Sequence, residues 1–166
     1  MKAFKQLNIT FQSSPIKACA FTGHRELGAD FSKSRMKKQI QLLIQRGVEV
    51  FYDGMAQGFD LLAAEALLAL KKKYPQVKLI ACIPFYGQEK NYSEKDKSRY
   101  AKVLKKADEQ VLLSERYYNG CFLTRDRYMA DRADVLIAYC KKDVGGTAYT
   151  VNYFKKKYPF KEILFL

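Results

Sequence analysis

The stretch Val48-Glu49-Val50-Phe51-Tyr52-Asp53-Gly54-Met55-Ala56-Gln57-Gly58-Phe59-Asp60, continuing as Leu61-Leu62-Ala63-Ala64-Glu65-Ala66-Leu67-Leu68-Ala69-Leu70, decides the fold. Val48 to Tyr52 is rich in β-branched and aromatic residues and too short for a stable helix, so it reads as a strand. Two glycines interrupt it. Phe59 to Leu70 is then apolar almost all round, as in a helix covered on more than one side, and it stops in Lys71 to Tyr74 before Pro75.

The same alternation extends in both directions. Further strand-like runs are Ile16 to Phe21, Val77 to Ile83, Gln110 to Leu113, Val135 to Tyr139 and Ile163 to Leu166. Met36, Ile40, Leu43 and Ile44 recur at helical spacing, and Gly47 supplies the stop. Arg99 to Lys106, Phe122 to Arg132 and Ala148 to Tyr158 are shorter helices. Strands alternating with helices require parallel pairing through right-handed crossovers. The expected fold is therefore α/β: a Rossmann-like three-layer α/β/α sandwich with a mainly parallel sheet. Residues 1–166 form one domain, in which Met1 to Pro15 is a polar leader or, over Leu7 to Phe11, an extra edge strand.

Composition narrows the function classes. A hydrophobic fraction of 48% and a charged fraction of 28% exclude disorder, collagen and low-complexity scaffolds. No apolar run approaches the roughly 18 residues that span a bilayer, and Met1 to Asn8 lacks the apolar stretch of a signal peptide. A cytoplasmic protein without membrane contact is expected. Cys19, Cys82, Cys121 and Cys140 show neither Cys-x-x-Cys spacing nor a histidine cluster, so no metal site is expected. Three of them fall in apolar strand-like runs, which fits buried reduced thiols.

Charge is the outlier. Thirty Lys and Arg against 17 Asp and Glu give +13, enough to concentrate phosphorylated ligands or nucleic acid near the surface. The bland reading is that Lys37-Lys38, Lys71 to Lys73, Lys105-Lys106 and Lys155 to Lys157 sit near helix ends, where cations complement the dipole.

In such sheets ligands gather beyond the carboxyl ends of the strands, so the junctions there receive most weight. Three contain glycine: Thr22-Gly23-His24-Arg25 after the first strand, Gly54 to Asp60 after the second, and Val144-Gly145-Gly146-Thr147 after the fifth. Glycine lets backbone N–H groups approach an anion, and the helix N-termini that follow add partial positive charge. Thr22 and Thr147 can donate hydroxyl hydrogen bonds, and Arg25 can grip a phosphate with two N–H groups. The pattern is neither a Walker A loop nor the Gly-x-Gly-x-x-Gly fingerprint.

Glu65 is the single charge between Leu61 and Leu70, so it must reach solvent, a pocket or an ion-pair partner. Asp60, in the first helical turn, is a dipole charge or a ligand for a ribose hydroxyl. His24 is the sole histidine, and with no nucleophile elbow beside it a binding role is expected. Arg125, Met129 and Arg132 share one helical side, facing either a ligand or solvent.

Thr22-Gly23-His24-Arg25, Gly54-Met55-Ala56-Gln57-Gly58-Phe59-Asp60, Pro84-Phe85, Arg125 to Asp131 and Gly145-Gly146-Thr147, in this order, resemble the SLOG superfamily, in particular its YpsA-like (DUF1273) branch. The resemblance covers about residues 18 to 157. It implies a Rossmann-like domain related to the LOG phosphoribohydrolases and to the DNA-processing protein DprA, and a nucleotide or nucleotide-derived ligand. The LOG motif has a proline before the paired glycines and a glutamate soon after the threonine. Here Val144 precedes and Ala148-Tyr149-Thr150-Val151 follows.

The leading expectation is thus a nucleotide-binding protein. Thr22, Gly23, Arg25, Gly54, Gly58, Gly146 and Thr147 would hold phosphate, with Asp60 and Glu65 near sugar or base. His24, Gln57, Pro84, Arg125 and Gly145 complete the candidate ligand-binding set. An N-glycosidase with Glu65 as its catalytic carboxylate, and a DprA-like module for single-stranded nucleic acid, are the alternatives. No cofactor beyond a possible nucleotide is expected. The 23 Phe and Tyr residues offer interface area for a homodimer.

Overall fold

A computed structural model of the chain describes residues 14–166. The leader or edge strand expected over Leu7 to Phe11 lies outside the described residues. In chain order the elements are β1 (Ala18–Gly23), α1 (Lys33–Gln45), β2 (Val50–Asp53), α2 (Phe59–Lys71), β3 (Lys78–Ile83), a 3₁₀ turn (Gln88–Asn91), α3 (Glu94–Lys106), β4 (Glu109–Leu112), α4 (Cys121–Arg132), β5 (Val135–Tyr139), α5 (Gly146–Lys157) and β6 (Glu162–Phe165).

The six strands form one sheet in the order β4-β3-β2-β1-β5-β6, and every pairing is parallel. Winding proceeds from β1 to β4 in one direction and then jumps back to β5, on the other side of β1. Right-handed crossovers put α1, α2 and α3 on one face and α4 and α5 on the other. β1 and β5 therefore flank the switch point, where chains leave in opposite directions and a crevice opens.

Alternation along each strand fills the two layers. Cys19 and Phe21 of β1, Leu79 and Ala81 of β3, and Val135, Ile137 and Tyr139 of β5 pack with Ile40, Leu43 and Leu67 beneath α1 and α2. Ala20, Ile80, Cys82, Leu136 and Ala138 face Met129, Val151 and Phe154 of α4 and α5. Burial on both faces explains why these strands read as continuous apolar runs. Asp134 accepts from the N–H groups of Lys17 and Ala18 (2.8 and 2.9 Å), and Asp108 accepts from Leu79 N (2.8 Å). Each pins the start of a neighbouring strand at the sheet end opposite the glycine loops.

Several boundaries differ from the sequence reading. β1 runs on through Thr22 and Gly23, because both pair with β5 at Ala138 and Tyr139. α3 begins five residues before Arg99, where Ser93 caps it by accepting from Asp96 N at 3.2 Å. Cys140 lies just past β5 and is partly exposed; Cys19 and Cys82 are in strands, and Cys121 opens α4. Lys37 and Lys38 sit mid-helix in α1 on its exposed side, since Ser32 rather than a later residue is the cap. The other three lysine runs do fall at or just beyond helix C-termini.

Candidate functional site

At the carboxyl ends of β1, β2 and β5 lies a cleft of about 460 Å³. Its walls come from five places: Thr22 to Arg25 at the end of β1 and just past it, Ala56 and Asp60 after β2, Tyr117, Asn119 and Gly120 before α4, Phe122, Arg125, Asp126 and Met129 on α4, and Val144 to Thr147 before and within α5. The three glycine junctions meet here because the switch point gathers the loops of β1 and β5, while β2 is the next strand over. Thr22, Gly23, His24, Arg25, Asp60, Arg125, Gly145, Gly146 and Thr147 all line it.

Part of the cleft wall offers donors to an anion, beside the carboxylates of Asp60 and Asp126 that also line it. α5 starts at Gly146 with no side chain capping its first turn, because Gly145 is its N-cap. Among the described residues, the hydroxyls of Thr22 and Thr147 have no protein partner, and Arg25 forms no ion pair. Arg25 is exposed, with its guanidinium 5.8 Å from the centre of the Phe122 ring. Free N–H groups, two hydroxyls and an exposed cation suit a phosphate.

Two of the glycines serve the chain itself. A Cβ on Gly23 would fall 2.2 Å from the Phe59 ring, and one on Gly58 would fall 2.0 Å from the Arg25 carbonyl oxygen. Gly58 also has φ +78°, a backbone that disfavours any side chain. These two positions let the β1 and β2 loops touch, which sets where Arg25 stands.

Behind the cleft is a buried charge cluster. Arg125 is 6% exposed; its Nε donates to Asp126 Oδ1 at 2.9 Å and its Nη1 to the Gly54 carbonyl at 2.6 Å. Burial, with Asp126 adding repulsion and Arg125 opposing, pushes the Asp60 carboxyl up to about 7. Asp53 is fully buried, and burial with the neighbouring Asp60 raises it well above the ordinary carboxylate range. Its Oδ1 accepts from Met55 N at 2.7 Å, holding Met55 at φ +60°, and its Oδ2 has no partner. Replacing Arg125 would strand Asp126 inside the protein, a change that costs about 3–5 kcal/mol in comparable buried pairs.

His24 is a brace. Its Nε2 accepts from Lys141 N at 2.7 Å, while its backbone N–H donates to Tyr139 O and its carbonyl accepts from Phe59 N. Partial burial and nearby Lys142 lower its pKa, which favours the neutral ring this bond requires.

Five candidates stand elsewhere. Glu65 lies between α2 and α3, where Arg99 grips both carboxylate oxygens at 2.6 and 2.9 Å; it is ion-paired on the wall of the α2–α3 groove, outside the glycine cleft. Gly54 contributes only its carbonyl, to Arg125 and to Gln88 Nε2. Pro84 is buried after β3, and Gly58 lies behind Arg25. Gln57 faces an adjoining cavity and donates to Asp96 Oδ2 at 3.1 Å. Arg132 is exposed and stacks on Tyr128, its guanidinium 3.5 Å from the ring centre, so it leaves the side that Arg125 and Met129 share. Asp53, Asp126 and Phe122 escaped the sequence reading. Asp53 had one signal, its place as the last residue of a strand before glycine.

Fold and cleft together define a Rossmann-like parallel α/β domain with a crevice at its switch point. Comparison with known proteins makes the assignment narrower. The family model described as the YspA SLOG family matches residues 19–163, and the chain belongs to that family. It is 30% identical over 155 residues to the UPF0398 protein YpsA of Bacillus subtilis, covering 86% of each chain. A UPF0398 protein of Halalkalibacterium halodurans is also 30% identical, over 137 residues that cover 81% of this chain and 72% of that one. Among solved structures, DNA processing protein A of Streptococcus pneumoniae aligns over 90% of this chain with a TM-score of 0.64 and 22% identity. DNA processing protein A of Helicobacter pylori, described for its single-stranded DNA binding mode, aligns over 91% with a TM-score of 0.62 and 22% identity. The chain spans 50% and 65% of those two proteins, and the likeness is one of fold.

Proposed function

We propose that the protein binds a nucleotide or nucleotide-derived molecule in the switch-point cleft, its phosphate held by Arg25, the hydroxyls of Thr22 and Thr147 and the first turn of α5. The observation that carries this reading is the meeting of unpartnered donors from two separate loops on one side of the cleft. The volume falls in the range of about 300–1,000 Å³ usual for small-molecule sites. Calorimetric titration with nucleoside mono- and diphosphates, ADP-ribose and NAD tests it. Arg25→Ala should weaken the best ligand about 10- to 100-fold, since a charge-assisted hydrogen bond contributes about 1.5–3 kcal/mol. A folded protein that gives no heat with any of these ligands would overturn the proposal.

An N-glycosidase form of this reading runs through Asp60, the candidate carboxylate that lines the cleft, rather than Glu65. The single-stranded nucleic acid reading has its own support in the net charge of +13 and in Lys72, Lys102 and Lys106 around the α2–α3 groove. Under it, log affinity falls against log salt with a slope of about −0.7 per phosphate neutralised. Binding would then suffer mainly from changing Lys71, Lys72 and Lys73 to Gln, and little from Arg25→Ala.

A further inference from the structure

Beside the cleft, toward β3, lies a second cavity of about 380 Å³. The two share Arg25, Tyr117 and Phe122 in their walls, so they adjoin along these three side chains. Their chemistry differs. The second cavity is walled by aromatic rings: Phe85 meets Tyr117 edge-on at 5.4 Å and Phe122 at 5.8 Å. Tyr117 is 61% exposed. Tyr92, fixed by its hydroxyl donating to the Met55 carbonyl at 3.1 Å, also lines it.

The polar groups there are amides and one lysine. Gln57 donates through Nε2 to Asp96, which turns its carbonyl oxygen away from that bond. Gln88 is 6% exposed; its Nε2 is committed to the Gly54 carbonyl at 3.2 Å, and its Oε1 is buried with no partner. Asn91 and Lys90 complete the rim. Aromatic faces with amides that exchange hydrogen bonds suit a flat heterocycle carrying N–H and ring nitrogen atoms, and not a phosphate or a sugar alone.

We propose that this cavity takes the heteroaromatic base of the ligand whose phosphate occupies the cleft, with Arg25 at the junction between the two halves. The inference rests on the nucleotide reading of the cleft and adds where the base goes. It makes the recognised molecule an extended nucleotide whose base stacks against the aromatic wall that Phe85 and Tyr117 form together. It also gives a use to the exposed arginine that lines both cavities, whose charge serves the phosphate at the junction.

The chain contains no tryptophan, so Tyr117→Trp installs a single emitting reporter in the cavity. AMP should quench that emission on binding, and ribose 5-phosphate, which has no base, should bind without quenching. By calorimetry AMP should bind the parent protein at least about tenfold more tightly than ribose 5-phosphate, and Phe85→Leu should remove most of that advantage, as expected for loss of a base–aromatic stack. AMP that binds tightly but neither quenches the reporter nor responds to Phe85→Leu overturns the base site while leaving the nucleotide reading intact. Equal affinity for AMP and ribose 5-phosphate overturns it too. If neither ligand binds the folded protein, both proposals fail.

Discussion

Replacing Gly58 with alanine tests the claim that the cleft is shaped by a close backbone contact. At φ +78° and ψ −118° a side chain is strained, at a cost of about 1–3 kcal/mol. The added Cβ would also stand 2.0 Å from the Arg25 carbonyl oxygen, which must withdraw by more than an ångström. Forced displacements of that kind cost about 1–3 kcal/mol more. Together these give about 4 kcal/mol, or a fall in Tm of about 8–16 °C for a domain of this size. Gly145 is the control: its φ is +98°, but a Cβ there meets nothing within 4 Å. Gly145→Ala should therefore show only the backbone part, about half the fall. Thermal unfolding followed by circular dichroism reads both, and titration of the best cleft ligand reads the displacement of Arg25. A Gly58→Ala protein that melts within about 2 °C of the parent refutes the reasoning, as does an equal fall in the two variants.

Two further outcomes follow from the charges. Glu65→Gln removes a half-exposed ion pair with Arg99, so stability should drop by no more than about 1 kcal/mol. Cleft affinity should stay within about twofold; a large loss would return Glu65 to the site. The folded state raises Asp60 to about 7, whereas the unfolded chain titrates it near 3.8. The folded protein thus binds more protons, and the stability due to this group is full below about pH 4 and lost as pH rises through about 7. Asp60→Asn cannot titrate, so its stability in urea should fall less between pH 4 and pH 7, by up to about 1.4 kcal/mol per pH unit. An unchanged slope would show that Asp60 is not held in this protonated form.

The sequence by itself determined the architecture, because local periodicity is enough for it. Apolar runs of four to seven residues bounded by glycine and charge cannot be helices, and Met36, Ile40, Leu43 and Ile44 cannot be a strand; alternating such segments leaves one arrangement, parallel and doubly wound. Position at strand ends then singled out Thr22, Arg25, Asp60 and Thr147, since the carboxyl end of every parallel strand faces the same way. Pairing and depth were decided by tertiary structure. Glu65 carries the same local signal as a pocket acid and as an ion-pair partner, and only the packing of α3 against α2, which brings Arg99 from 34 residues away, separates the two. Gly58 looks like an anion-binding glycine until the β1 loop lies on it. Asp53 and Asp126 look like surface charges until the strand order buries them beside Arg125, where Asp126 accepts from its Nε and burial raises Asp53 above the ordinary carboxylate range.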